Sequence, residues 1–265
     1  MTDLAARLLA AYDHQVRTAI ARRLPAGRTM DRDGPLVRVS GGFRGFVGYR
    51  SLAGLTGAEV EALIARAVAH FGARGEAFEW KWHAHDEPAD LPDRLAAHGF
   101  VPEELETVLI GRAERLTDGS PVPGVEIREL TEPADFHRIG RLQSEVWGAD
   151  WSWLAEDLLA RRAVEGDALP VFGALAGAEL VSAGWLNLTP GTEFGGLWGG
   201  STLAGWRGRG IYRALVAVRA RRAVERGYRY LQVDASPDSE PILRRLGLVA
   251  VTTTRPYVRQ PDPAD

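Results

Sequence analysis

Gly205-Trp206-Arg207-Gly208-Arg209-Gly210-Ile211 separates a strand-like run, Phe194 to Leu203, from a helix-forming run, Gly208 to Arg226. A glycine-rich turn that opens directly into a helix leaves several backbone N–H groups without intrahelical partners, all aimed one way. The positive end of the helix dipole adds to their field, so the turn suits a phosphate or pyrophosphate. Glycines let the backbone approach an anion closely, and Arg207 and Arg209 supply charge. The same heptapeptide also reads as a basic surface turn or an Arg-Gly patch on RNA; the strand before it and the helix after it favour the anion site.

Other phosphate loops fit less well. No Gly-Lys-Ser/Thr follows, which removes the nucleoside triphosphate loop. Gly208-x-Gly210 followed by Arg213 breaks the dinucleotide fingerprint at its third small residue, although Asp234 stands at a suitable distance for a ribose contact.

With these residues in view, positions 125–260 resemble a GCN5-related N-acetyltransferase (GNAT) domain, whose acyl-CoA loop is written Gln/Arg-x-x-Gly-x-Gly/Ala. Two registers are open. With Arg207 first, Gly210 fits and Tyr212 replaces the last small residue; with Gly205 first, Gly208 and Gly210 fit and the leading Gln or Arg is missing. The order that follows is similar to the family's C-terminal half: a strand at Tyr228–Asp234, a short helix around Ser239–Leu246, the turn Leu246-Gly247-Leu248 in place of Leu-Gly-Phe, and a last strand. The resemblance implies an acyl-CoA site in the second half, with acetyl-CoA as co-substrate. Its residues would be Thr202, Leu203, Arg207, Gly208, Arg209, Gly210, Ile211, Tyr212, Arg213 and Ser239.

The whole chain sets wider bounds. Its 265 residues suffice for one large or two small domains, and 45% hydrophobic content is that of an ordinary globular protein. A net charge of −3 without blocks of like charge advertises no nucleic-acid surface. The lack of cysteine excludes disulfides, a thiol nucleophile and thiolate zinc sites. No leader-like segment opens the chain and no apolar run is long enough to span a membrane, so a cytoplasmic protein without a membrane partner is expected.

Along the chain, residues 3–23 read as an amphipathic helix, and strand-like segments follow at Leu36–Val39 and Phe43–Tyr49. Thr56 and Glu59 form a capping-box pattern for a helix ending near Gly72. In Phe78–His85, Trp80, Trp82 and Ala84 share one strand face, while Glu79, Lys81, His83 and His85 share the other and read as an exposed polar surface. Lys81 is the only lysine among 32 basic residues. A helix near Leu91–His98 and a strand near Glu106–Ile110 precede the clearest linker, Thr117 to Gly124.

Offset by 148 residues, the halves echo each other: Asp86 matches Asp234, Leu95 matches Leu243, and Gly99-Phe100 matches Gly247-Leu248. In the first half, Gly54-Leu55-Thr56-Gly57-Ala58-Glu59 holds the loop's place, with no arginine and an acid at the helix start. That carboxylate would cap the helix and repel a pyrophosphate. The expectation is an α/β protein (an α+β mixed sheet): a smaller, degenerate GNAT-like unit over 1–115, a linker over 116–124, and a GNAT acyltransferase domain over 125–265.

Acetyl transfer to an amine needs positioning, polarisation of the thioester carbonyl and a base. The resemblance implies that the strand before the loop splays from its neighbour and binds the pantetheine arm; Gly195, Gly196, Gly199 and Gly200 crowd that strand here. Many relatives place a tyrosine acid where this chain has Leu243, so Tyr257 and Tyr212 stand as substitutes. Glu193, at the start of the splayed strand, approximates the position of a base in some relatives, and Asp234 is expected to cap the helix after its own strand. On the acceptor side, Trp147, Trp151 and Trp153 stand among Glu145, Asp150, Glu156 and Asp157, which suits a cationic amine and also an ordinary helix corner. His83-x-His85 with Asp86 has metal-ligand spacing, but no metal is expected there.

The expected activity is acetyl transfer from acetyl-CoA to a primary amine on a small molecule or peptide. An inactive acyl-CoA-binding or regulatory protein is the alternative, and a homodimer is compatible with either.

Overall fold

The computed structural model describes residues 3–19 and 24–262, so the end of the expected first helix, 20–23, lies outside the described residues. The first half runs α1 (Asp3–Gln15), β1 (Thr29–Asp33), β2 (Leu36–Ser40), β3 (Gly45–Tyr49), α2 (Gly57–Gly72), β4 (Phe78–His83), α3 (Leu91–Ala97), β5 (Val101–Pro102) and β6 (Glu106–Arg112). The second runs β7 (Glu126–Glu129), α4 (Pro133–Trp147), α5 (Trp153–Glu165), β8 (Val171–Ala176), β9 (Glu179–Leu188), β10 (Phe194–Thr202), α6 (Ile211–Glu225), β11 (Tyr230–Ala235), α7 (Glu240–Arg245) and β12 (Val249–Arg259). It is a mixed α/β fold in which one sheet carries the strands of both halves.

Local chemistry explains most of the boundaries. Thr56 and Glu59 form the expected capping box, and Val60, Leu63, Ile64, Ala67 and Phe71 recur at helical spacing and are buried. Helix α4 starts at a proline and ends on Gly148 in the left-handed conformation. Strand β1, Thr-Met-Asp-Arg-Asp, carries no apolar alternation that would mark it as a strand; it is a mostly exposed edge strand paired only with β2.

The sheet order is β1-β2-β3-β4-β12-β6-β11-β10-β9-β8-β7, with β5 paired to β12. Each half contains one parallel pair, β3 with β4 and β10 with β11. The last strand of each half then crosses over. Strand β6 of the first half lies between β11 and β12, while β12 of the second lies between β6 and β4. Tyr257 of β12 thereby joins the core of the first half, beside Trp80, Phe100 and the residues of α2 and α3.

The exchange buries a polar face that alternation in β4 assigns to solvent. Glu79 is 9% exposed and His83 is 3% exposed. Tyr12 of α1 bonds His83 at 3.1 Å, and burial holds that imidazole neutral, well below its usual pKa. Asp86 is taken by both guanidinium nitrogens of Arg17 (2.6 and 3.0 Å), by Tyr49 Oη and by the His83 N–H, so the His-x-His-Asp sequence is a packed structural cluster. Among the described residues no group of three or more His, Cys, Asp or Glu is arranged to hold a metal.

If the halves depend on each other's last strands, fragments 1–116 and 117–265 expressed separately should each lack a cooperative thermal transition. Co-expression should restore one complex with a single melt. A cooperative melt of fragment 1–116 alone would contradict the exchange.

Candidate acyl-CoA site

Strands β10 and β11 pair for three residues only: Phe194 with Tyr230, Gly195 with Leu231, Gly196 with Gln232. Beyond Gly196 the edge of β10 that faces β11 has no strand partner among the described residues. On its other edge β10 stays paired with β9, but Gly199 and Gly200 stand opposite the single residue Gly184, a β-bulge between the Trp198 and Ser201 pairs. Gly199 has φ +61°, and a Cβ there would lie 1.8 Å from the Trp185 ring, so this position admits glycine alone.

Side chains hold the bulge. Arg219 of α6, 1% exposed, lies over Gly184 and donates to the carbonyls of Trp185 and Trp198, both at 3.3 Å. Gln143 of α4 donates to Gly199 O at 2.8 Å and accepts from Ser201 Oγ (2.8 Å) and Trp147 Nε1 (2.7 Å). Ser182 donates to Ser201 O at 2.6 Å, and Arg207 Nε to Thr202 O at 3.1 Å. The carbonyls that lose ladder partners thus have side-chain donors.

The parted strands lead to the loop. Gly208 (φ +75°) and Gly210 (φ +83°) take the left-handed conformation, and a Cβ added at either would meet nothing within 4 Å. Helix α6 begins at Ile211 with no side-chain cap, and its first backbone bond is Ala214 N–H to Gly210 O. The amides of Gly208 through Arg213 have no backbone acceptor among the described residues. They leave an uncapped helix start of the kind that suits an anion. Arg209 stacks over Trp206 at 4.6 Å and stays exposed. Tyr212 lies with its ring against Gly200, and burial raises its phenol pKa, opposed by Arg219 and by a hydrogen bond with Ser239. Thr202, Leu203, residues 207–213 and Ser239 are therefore brought together at one end of the opening.

Other expected residues fall elsewhere. Glu193 precedes the paired segment of β10, about 10 Å of strand from the last pair at Gly196. It is tied to Gln15 (3.1 Å) and Arg229 (3.3 Å), and these bonds lower its pKa, so it is not placed as a base. Tyr257 packs edge-on against Trp82 in the first half's core, 6.4 Å between centroids, and does not face the opening. Asp234 caps no helix; it pairs with Lys81 at 3.0 Å, and the start of α7 has no side-chain cap. Leu243 is fully buried among Val216, Ala220 and Val233. Of the corner tryptophans, Trp151 and Trp153 pack on the core of the second half, while Trp147 stays 51% exposed beside Ser201.

Sequence reasoning missed Gln143, Ser182 and Arg219, none of which belongs to a local motif. Lys81 carries one usable signal: a single lysine in an arginine-rich chain, set in an aromatic strand.

No family model and no curated protein matches the sequence. Solved structures do. A GCN5-related N-acetyltransferase from Kribbella flavida superposes with a TM-score of 0.69 at 17% identity, covering 100% of this chain and 98% of that one. A tandem GNAT protein from the clavulanic acid biosynthesis pathway, solved without AcCoA, gives 0.61 at 15% identity over 92% of this chain and 86% of its own. A GCN5-related N-acetyltransferase from Sphaerobacter thermophilus gives 0.59 at 14% identity, over 89% and 83%. The chain has the GNAT fold, in tandem form.

The bulge predicts a contrast between two glycines. Gly199→Ala should lower the unfolding free energy by about 3 kcal/mol or more, combining left-handed strain with overpacking. Gly208→Ala, strained but unobstructed, should cost only about 1–2 kcal/mol. Equal losses in urea denaturation would contradict the bulge geometry.

Proposed function

We propose that the protein transfers an acetyl group from acetyl-CoA to a primary amine. The observation that carries this reading is the parting of β10 from β11, ending at a glycine turn whose amides from Gly208 to Arg213 lack acceptors. Those amides, with Arg207 and Arg209 beside them, suit the pyrophosphate. The unpaired edge of β10 offers its backbone to the amide groups of the pantetheine arm, as a strand offers an edge to a partner. That arrangement would bring the thioester to the bulge at Trp198 and Gly199.

The chemistry asks little more of the chain. A thiol with a pKa near ~8.5 leaves tolerably as its anion near neutral pH, so amine deprotonation and alignment set the barrier. Tyr212, whose ring lies against Gly200, is the phenol nearest the opening; a hydrogen bond from it to the departing sulfur would assist, as Leu243 cannot, without a proton transfer being required. Buried Leu243 also favours a second reading, an acyl-CoA-binding protein without transferase activity. Thiol release in the presence of amines separates the two.

In the first half, Glu59 accepts from the N–H and hydroxyl of Thr56, and Thr56 accepts from Glu59 N–H, so a carboxylate occupies that helix start. No acyl-CoA binding is assigned there. Among the described residues, no helix is long and apolar enough to cross a membrane. A cytoplasmic location, no nucleic-acid partner and a homodimer belong to the same proposal.

Isothermal titration should give about one acetyl-CoA per chain. Gly210→Val should reduce affinity at least about a hundredfold without unfolding the protein, because strain and a side chain intrude where the anion sits. Two equivalent sites, or unchanged affinity in Gly210→Val, would overturn the assignment. Tyr212→Phe should cost less than about tenfold in kcat, below the usual range for an essential general acid. A loss of a hundredfold would make Tyr212 indispensable.

A further inference from the structure

A buried charged cluster lies where the two halves meet, beside the parted strands. Alternation puts Phe194, Gly196 and Trp198 of β10 on one face of the sheet. Pairing carries that face to Tyr230, Gln232 and Asp234 of β11, then to Ile110, Val108 and Glu106 of β6. Leu8 and Leu9 of α1 pack with Val108 and Ile110. The Glu106 side chain remains 27% exposed. Lys81 reaches in from β4, 3.3 Å from Glu106 and 3.0 Å from Asp234.

Two acceptor atoms in this cluster have no hydrogen-bond partner among the described residues, Asp234 Oδ1 and Gln232 Oε1. The Asp234 side chain is 8% exposed and Gln232 is 6% exposed. A buried acceptor without a donor is costly, and what these two lack is an N–H or O–H group. A primary ammonium carries three such donors.

The position suits one. Because Gly196 pairs with Gln232, Asp234 stands across the opening from Trp198. Glu106 lies on the next strand, two residues along from Val108, the partner of Asp234, and so ~7–8 Å from Asp234 on the diagonal. Trp198 and Trp147 are 42% and 51% exposed, and both flank the bulge, where a cation would find ring faces as well as carboxylates. The first half adds a wall: Phe43 stacks on Trp153 of α5 with centroids 3.9 Å apart, and the neighbouring Arg44 pairs with Glu79 at 2.6 Å.

We infer that Glu106 is the base that takes the acceptor's proton, with Asp234 and Gln232 holding its remaining N–H groups, in a site shared by both halves. This rests on the acyl-transfer reading. The ammonium gives one proton to the Glu106 carboxylate. The neutral nitrogen forms a bond to the thioester carbonyl carbon; the C–S bond breaks with its electron pair going to sulfur. A second nitrogen proton neutralises the thiolate, leaving amide and thiol, and Glu106 returns its proton to water. Burial raises Glu106 to about 7, with Lys81 opposing and Asp234 and Glu79 adding to the shift. Tyr12 of α1 and His83 of β4 are the other titratable groups around the cluster; burial raises the first and keeps the second neutral. The base works as carboxylate, so turnover falls as pH drops through about 7.

The test uses the full chain, acetyl-CoA titration and thiol release with phenethylamine, tyramine and spermidine as acceptors. Glu106→Gln should keep the acetyl-CoA Kd within twofold and lose about a hundredfold in kcat/KM for the amine, within the usual range for a general base. The deficit should shrink above pH 9, and the acid limb near pH 7 should vanish; Glu106→Asp should recover part of the rate. If the wild type binds acetyl-CoA but Glu106→Gln stays within threefold of it, or none of the three amines reacts, this assignment falls alone. If the wild type binds no acetyl-CoA, the acyl-transfer reading falls and this one with it.

Discussion

Two parallel strands that pair for three residues and then part impose a problem that much of the second half is built to solve. Past Gly196 the backbone of β10 has lost its partner on one side, and at Gly199–Gly200 its register with β9 slips. Unpaired backbone groups inside a protein are costly, so the opening persists only because other groups take over. Arg219, Gln143, Ser182 and Arg207 each donate to a carbonyl of that segment. Gly184 has no side chain, and the Arg219 guanidinium fills that space. The opening is thus a supported feature, held by helices on the sheet and continuous with the amides that start α6.

The exchange of last strands makes the second constraint. With β6 beside β11 and β12 beside β4, neither half completes its sheet alone. The exchange also carries Lys81 and Glu106 to within reach of Asp234, a residue 128 or more positions away in sequence from either. Burying that many charges is unfavourable unless they pair closely. Burial alone would pull Lys81 down, but Asp234, Glu79 and Glu106 together raise it well above its usual pKa. A degenerate first half is therefore compatible with a direct part in function. Its helix start is held by the Thr56–Glu59 cap, while its last strand lies beside β11 of the second half.

The element order and the loop are legible in the sequence because both are local. Glycine at 208 and 210, the helix after it, the capping box at Thr56 and the alternation in β4 each depend on neighbours within a few residues. What fails depends on distant partners. The alternation in β4 correctly separates Trp80 and Trp82 from Lys81 and His83, but it presents the polar side as a solvent face. No local pattern records that α1 and the neighbouring strands cover it. Glu193 and Tyr257 qualify only by position along the chain; the structure puts one beyond the paired end of β10 and the other in the opposite half. Asp234 looks like a cap because a helix follows it, whereas a lysine from the first half claims it.

We propose the parted strands and the glycine turn as one continuous acyl-CoA site, and backbone amide NMR of the full chain, recorded with and without CoA, tests that continuity residue by residue. The largest shift changes should fall on Gly208 through Arg213 and along Leu197 to Thr202, with residues 54–59 of the first half unmoved. Changes centred on residues 54–59, or spread over the sheet with the glycine turn silent, would contradict it.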